Sequence, residues 1–244
     1  MANPASSFSP LFQLFVIPIY LLVTFLIHRG SYPELKFEQM KRVYAEISLV
    51  FAPAFIANAG RVYLYAQGSP QPLTGIMEYA LVAAYFLAPL TAHVLIRKRP
   101  LGELGISRIL QWKATIILVA WTMIYLGLSV GARYYAGILS FPLLSRIPYL
   151  IVGLLGEELL FRGFIQTRLE TVHGISRGWL YAAPWWGFIH IWNFFTLGLF
   201  EAVLGVIVIT FLGFLYGVTY AKSRSLLSTW PVHVIYDLFI AVAR

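Results

Sequence analysis

Residues 156–168 read GEELLFRGFIQTR, and residues 147–155 ahead of them are almost wholly apolar. Two adjacent carboxylates, Glu157 and Glu158, therefore stand inside or at the edge of a helix of membrane composition. Leu159, Leu160, Phe161, Phe164 and Ile165 carry the apolar run onward. A charge at such depth costs about 2.5–3.5 kcal/mol even on lenient insertion scales, so residues of this kind are kept for function, face the protein interior and have a partner. Glu158 and Arg162 lie four residues apart, share a helix face and can pair. Glu157 is turned about 100° away from Glu158 on a helix of 3.6 residues per turn. One carboxylate is then neutralised by a guanidinium, and the other is left to take and give a proton. A solvated Glu-Glu pair at a helix end is the plain alternative, and the Leu and Phe flanks on both sides argue against it.

Composition points the same way. Of 244 residues, 59% are hydrophobic and 11% charged, against about 25% charged in a soluble domain. With a mean hydropathy of +0.76, the fold class is all-α, a polytopic membrane protein forming a bundle of about eight transmembrane helices in one domain over 1–244. The chain has no cysteine, which excludes disulfides, thiolate metal sites and a cysteine nucleophile. The net charge of +8 reads as orientation and lipid headgroup contact. Basic residues are scattered between apolar spans, so nothing suggests nucleic acid. Residues 1–10 hold no Lys or Arg and no small-residue cleavage site follows the first apolar run, which argues against a removable signal peptide.

The expected spans are Leu11–Ile27, Val43–Ala59, Met77–Ile96, Ala114–Val130, Ile147–Gln166, Trp179–Phe195, Ala202–Tyr220 and Leu226–Ala243, each near the ~17–25 residues that cross a bilayer. The second is the least clean, with Glu46 near its start and Asn58 near its end. Loops after the odd-numbered spans hold 13 Lys and Arg and the opposite side holds 4. That asymmetry places the odd loops in the cytoplasm and both termini outside. Glu46, Glu78 and Glu201 sit near span ends and read as solvated or capping residues.

Three late spans bring further polar groups. His190 lies in PWWGFIHIWNFF, with Trp186 four residues before it and Asn193 three after. His233 lies in TWPVHVIYDLF and shares a helix face with Asp237, the one aspartate of the chain. Taken singly, a histidine in an apolar span is more often a packed residue than a catalyst. Glu157 and Glu158, His190, and His233 with Asp237 form a set that coincidence explains poorly.

Glu-Glu-x-x-x-Arg, then aromatic-x-x-x-His, then His-x-x-x-Asp, in that order on late helices, resembles the CPBP family. It comprises the type II CAAX prenyl endopeptidases and the bacteriocin-processing and immunity (ABI) proteins. The resemblance covers about residues 147–240. Its first motif falls on Glu157, Glu158 and Arg162, its second on Trp186 and His190, its third on His233 and Asp237. Trp186 replaces the usual Phe, read here as a conservative packing change, and Asp237 stands where the prenyl proteases have Asn.

Hydrolysis inside a membrane needs a water, a base and an oxyanion donor. Glu157 suits the base, with His190 orienting the same water, and His233 suits the donor. Asp237 is either protonated or orients His233 through its second ring nitrogen. Glu158 and Arg162, with Asn193 and Trp186, are supporting residues. Glu157, His190, His233 and Asp237 also suit Zn2+ as ligands, but the chain lacks the HExxH pattern that fixes two ligands on one turn. The resemblance implies an intramembrane endopeptidase in a prokaryotic inner or plasma membrane, acting on a membrane-anchored protein or peptide, prenylated or of bacteriocin or signal-peptide type. A non-catalytic immunity or scaffold protein using the same cavity remains the alternative. A proton-coupled transporter fits less well, because the polar groups gather in one half of the chain without repeat symmetry.

Overall fold

The computed structural model describes residues 37–106, 141–195, 198–234 and residue 237. Among the described residues every regular element is helical. Helix α1 spans Met40–Ala66. Helix α2 spans Gln71–Leu90 and widens into a π-type turn over Thr91–Ile96, followed by a short 3-10 turn, Leu101–Leu104. Helix α3, Phe141–Glu158, runs without interruption into a second π-type stretch, Leu159–Gln166, and then α4, Thr167–His173. Helices α5, Ile175–Ile189, and α6, Ile191–Phe195, follow, then α7, Leu199–Ser223. A 3-10 turn at Leu226–Ser228 leads into helical residues 230–234.

Three segments, Met40–Ala66, Leu73–Ile96 and Leu199–Ser223, are long and apolar enough to cross a membrane. The chain is an integral membrane protein. The expected spans Leu11–Ile27 and Ala114–Val130 lie outside the described residues, as do residues 235–236 and 238–243 of the eighth. Two expectations differ from the structure. The sixth span is not one continuous helix, because α5 stops at Ile189 and α6 starts afresh at Ile191. The last one opens with a 3-10 turn, where the Ser225 hydroxyl accepts the Leu227 N–H.

The stretch Leu159–Gln166 is the axis of the bundle. All eight of its residues are buried, Arg162 and Gln166 included. A helix covered all round must be hydrophobic all round or must satisfy each polar group internally. Gln166 does so by giving its amide N–H to the Gly217 carbonyl of α7, 2.9 Å away. On α1, Val43, Ile47, Val50, Phe51 and Ala54 face the core while Leu49 and Ile56 face outward. On α7, Ile209, Gly213, Tyr216 and Tyr220 face in, and Val203, Ile207 and Phe211 are exposed where lipid would cover them.

Helices α5 and α7 meet through small residues. Ala183 and Gly187 on one side oppose Gly213 and Gly217 on the other. A Cβ on Gly213 would lie 3.1 Å from the Ala183 Cβ, and one on Gly187 would lie 2.0 Å from Thr210 Oγ1 and 2.8 Å from the Val206 carbonyl oxygen. Residues 213–217 spell GFLYG, the small-xxx-small pattern by which membrane helices approach closely when lipid offers no hydrophobic drive.

A charged staple closes one end of the bundle. Arg168 of α4 gives two parallel hydrogen bonds to Glu38, at 2.9 and 2.8 Å. Arg97 reaches Glu38 at 2.5 Å and Glu46 of α1 at 2.8 Å. Glu46 also lies 3.2 Å from Arg168. The segment ahead of α1, α1 itself, the end of α2 and α4 are thus tied by two carboxylates and two guanidiniums. Glu46 is a staple residue rather than a solvated or capping one.

Two predictions follow from this architecture. Gly187→Val should lower the thermal midpoint of the detergent-solubilised protein, because the new side chain meets main chain it cannot displace. Overpacking of this kind costs about 1–3 kcal/mol or more, and an unchanged midpoint would show that the two helices are not in close contact. The second concerns acid. Hydrogen bonds from Arg168 and then Arg97 hold the Glu38 carboxyl well below its ordinary value of 4.5. A depressed carboxylate stabilises the fold fully above that ordinary value and loses its contribution as pH falls below it. Glu38→Gln should therefore lower the midpoint at neutral pH, with the gap to wild type closing as pH drops below 4.5. A gap independent of pH would refute the ionic role.

Candidate active site

Glu157 and Glu158 are the last residues of α3, just before the chain widens into its π-type stretch. Such stretches are rare and often mark functional sites. Both carboxylates are buried, Glu158 completely, but they belong to different networks.

Glu158 has three partners. Its Oε1 accepts from His233 Nδ1 at 2.9 Å. Its Oε2 accepts from the Thr229 hydroxyl at 2.6 Å and lies 3.6 Å from Arg162 Nε. The Glu158–Arg162 pair read from the spacing is present. The wide turn carries the guanidinium partly off the carboxylate, so that it sits 4.6 Å over the Trp186 ring and 5.5 Å from that of Tyr216. Its Nε and Nη2 make no hydrogen bond among the described residues. Cation–π attraction and the nearby carboxylate offset part of the desolvation of this charge.

Glu157 faces α5. The indole N–H of Trp186 donates to Glu157 Oε1, and His190 Nε2 stands 3.6 Å from the same oxygen. His190 Nδ1 is 2.8 Å from the Trp186 carbonyl oxygen. A carbonyl only accepts, so Nδ1 carries a proton and Nε2 is the ring nitrogen turned toward Glu157. Trp186 therefore does more than pack.

His190 lies at the break between α5 and α6, with φ −83° and ψ −4°. The Ile189 carbonyl, freed by the break, accepts from Asn58 of α1 at 2.8 Å. Arg61, one turn on, bridges Asn58 Oδ1 and Asn193 Oδ1 at 2.8 and 2.9 Å. Asn193 thus supports the break from behind and does not meet Glu157. An interrupted helix at membrane depth has to satisfy its loose backbone groups within the protein, and α1 supplies the partners.

His233 is buried and presents its ring to Trp186 edge-on, with centroids 5.3 Å apart. With Nδ1 on Glu158, its Nε2 points toward Asp237 Oδ1, 3.9 Å away. That is an ion-pair distance and too long for a hydrogen bond. The ring is oriented by Glu158, a role the sequence reading assigned to Asp237 as one of its two options. Glu158 is thereby more than a helix-geometry residue.

Thr229, Tyr216, Asn58 and Arg61 escaped the sequence reading. Thr229 precedes His233 by four residues, so helical spacing could have flagged it. The other three reach the site only across helices. The described residues contain no group of three or more His, Asp or Glu side chains arranged to hold a metal ion. His233 uses Nδ1 on Glu158 and keeps Nε2 toward Asp237.

Residues 139–239 match the family model of the Rce1-like type II CAAX prenyl endopeptidases. The matched segment holds all three motifs, from α3 through the helical residues around His233, and bears out the likeness to the CAAX proteases drawn from Glu157, His190 and His233. No curated protein and no solved structure matches the chain. The Rce1-like proteins are a protease family. The matched segment contains Glu157, Glu158, Arg162, His190, His233 and Asp237, while α1 contributes Asn58 and Arg61 from outside it.

The three-way engagement of Glu158 leads to a stability prediction. Glu158→Gln and Arg162→Gln should each cost about 3–5 kcal/mol, the scale for a buried charge left without its partner. The double variant should lose clearly less than the sum of the two. Additive losses in a thermal-shift cycle would show that the two charges are energetically independent.

Proposed function

We propose that the chain is an intramembrane endopeptidase that hydrolyses a peptide bond of a membrane-anchored, CAAX-type substrate with a water activated by Glu157 and His190. The observation that carries this reading is the approach of His190 Nε2 to the Glu157 carboxylate at 3.6 Å, the His190 ring being held by the Trp186 carbonyl. A water beside this pair has a carboxylate oxygen to take its proton and an imidazole to aim it.

Glu157 takes one proton as the water oxygen bonds to the scissile carbonyl carbon. The carbonyl oxygen becomes an oxyanion. His233 gives its Nδ1–H to Glu158, and to donate to that oxyanion it must carry a second proton on Nε2, with the Glu158 carboxylate beside Nδ1 offsetting the charge. When the C–N bond breaks, the proton held by Glu157 passes to the leaving amine, and an acid and an amine result. No step here runs through a metal. The substrate class rests on the match to the prenyl endopeptidases and on a site buried among apolar helices.

Purified protein in liposomes, offered a prenylated peptide ending in a CAAX sequence, should release its terminal tripeptide. Glu157→Ala, His190→Ala and His233→Ala should each lower the rate by about 10²–10⁴ while remaining folded. A chelator should leave turnover intact, and Asp237→Asn should be tolerated. Near-normal cleavage by Glu157→Ala would overturn the base assignment. Loss of turnover on chelation with rescue by added Zn2+ would replace the water-only mechanism by Lewis-acid chemistry.

A further inference from the structure

We infer that Trp186 is the positioning residue for both halves of the water-activating pair, its indole N–H fixing Glu157 while its own carbonyl fixes His190. The inference rests on the proposed roles of Glu157 and His190 and adds what holds them in register.

Trp186 occupies the centre of the site. It is buried to 1% exposure. Its ring meets His190 at 5.5 Å, His233 at 5.3 Å and Tyr216 at 5.5 Å, each near-perpendicular, and Arg162 covers one face at 4.6 Å. Packing on this scale leaves the indole one orientation, with its N–H on Glu157 Oε1. A carboxylate is otherwise free to turn about its last bond. Anchored at Oε1, Glu157 keeps Oε2 clear of protein hydrogen bonds among the described residues, available to accept the proton of a water. The Trp186 carbonyl meanwhile accepts from His190 Nδ1 at 2.8 Å and so holds the ring with Nε2 turned toward Glu157.

The two contacts differ in what they ask of the side chain. Any residue at position 186 supplies the carbonyl. The usual aromatic residue of this motif, Phe, has no N–H and leaves the carboxylate to be held by something else. The tryptophan thus adds a hydrogen bond to a charged group at the reacting end of the base. Closure of α5 onto α7 protects it, because Gly213 leaves room for the indole: a Cβ there would stand 3.0 Å from Trp186 Cε3.

The test separates the N–H from the ring. Trp186 is replaced by Phe and, by unnatural amino-acid incorporation, by benzothienylalanine, which keeps the bicyclic shape and lacks the N–H. Both proteins should lose about ten- to a hundredfold in kcat, the effect of one hydrogen bond to a charged group, with KM for the prenylated peptide little changed. Wild-type kcat in the benzothienyl protein would overturn the inference, as would a loss confined to KM. A second measurement needs no substrate. The indole N–H resonance of Trp186 in a 15N-tryptophan spectrum, assigned by its loss in Trp186→Phe, should lie downfield and move upfield in Glu157→Ala. A resonance indifferent to Glu157→Ala would overturn it too. If wild-type protein cleaves no prenylated peptide, the proposed function fails, and the resonance still decides whether the indole holds Glu157.

Discussion

A fully buried carboxylate, Glu158, is the constraint on which the rest of the site depends. An ionised group with no water around it is stable only if every lone-pair direction finds a donor or a positive charge. Glu158 takes the Thr229 hydroxyl, His233 Nδ1 and the Arg162 guanidinium. Those partners come from its own strand of helix and from the last described helix. The carboxylate therefore joins two segments 70 residues apart in the chain and, by fixing the His233 ring, sets what that ring can offer at Nε2.

Its neighbour Glu157 is relieved of that structural duty. With Arg162, Thr229 and His233 all committed to Glu158, Glu157 meets, among the described residues, an indole N–H and a histidine nitrogen. Two like residues adjacent in sequence thus acquire different work from a turn of about 100° between them. One satisfies the fold and the other stays open to a reactant. The close approach of α5 to α7, made by Ala183, Gly187, Gly213 and Gly217, brings Trp186 and His190 to the first carboxylate. The cross-links from Asn58 and Arg61 hold the helix break that lets His190 turn inward.

Charge counting shows the limit of reading residues one at a time. Arg168 and Arg224 enter a tally of loop cations as if they faced water. In the structure both are buried, Arg168 on Glu38 and Glu46 and Arg224 on Glu170. Glu46, which looks like a solvated residue at the foot of a span, closes the same staple. A sequence gives the sign of a charge and its place in the chain; its partner across the bundle sets whether it meets water or another side chain.

The amino-acid sequence by itself determined the membrane class, the helical character and the contacts within one helix. Hydropathy follows from composition, and a pair such as Glu158 and Arg162 follows from helical spacing, so neither needs a fold to be seen. Only the tertiary structure decided that Trp186 donates to Glu157, that His233 leans on Glu158 while standing 3.9 Å from Asp237, and that the helix carrying His190 breaks there. Those outcomes depend on which faces of separate helices meet and at what distance. Glycine and alanine at the contacts, and a buried charge that must be satisfied, set that distance, and spacing along a single helix carries no record of it.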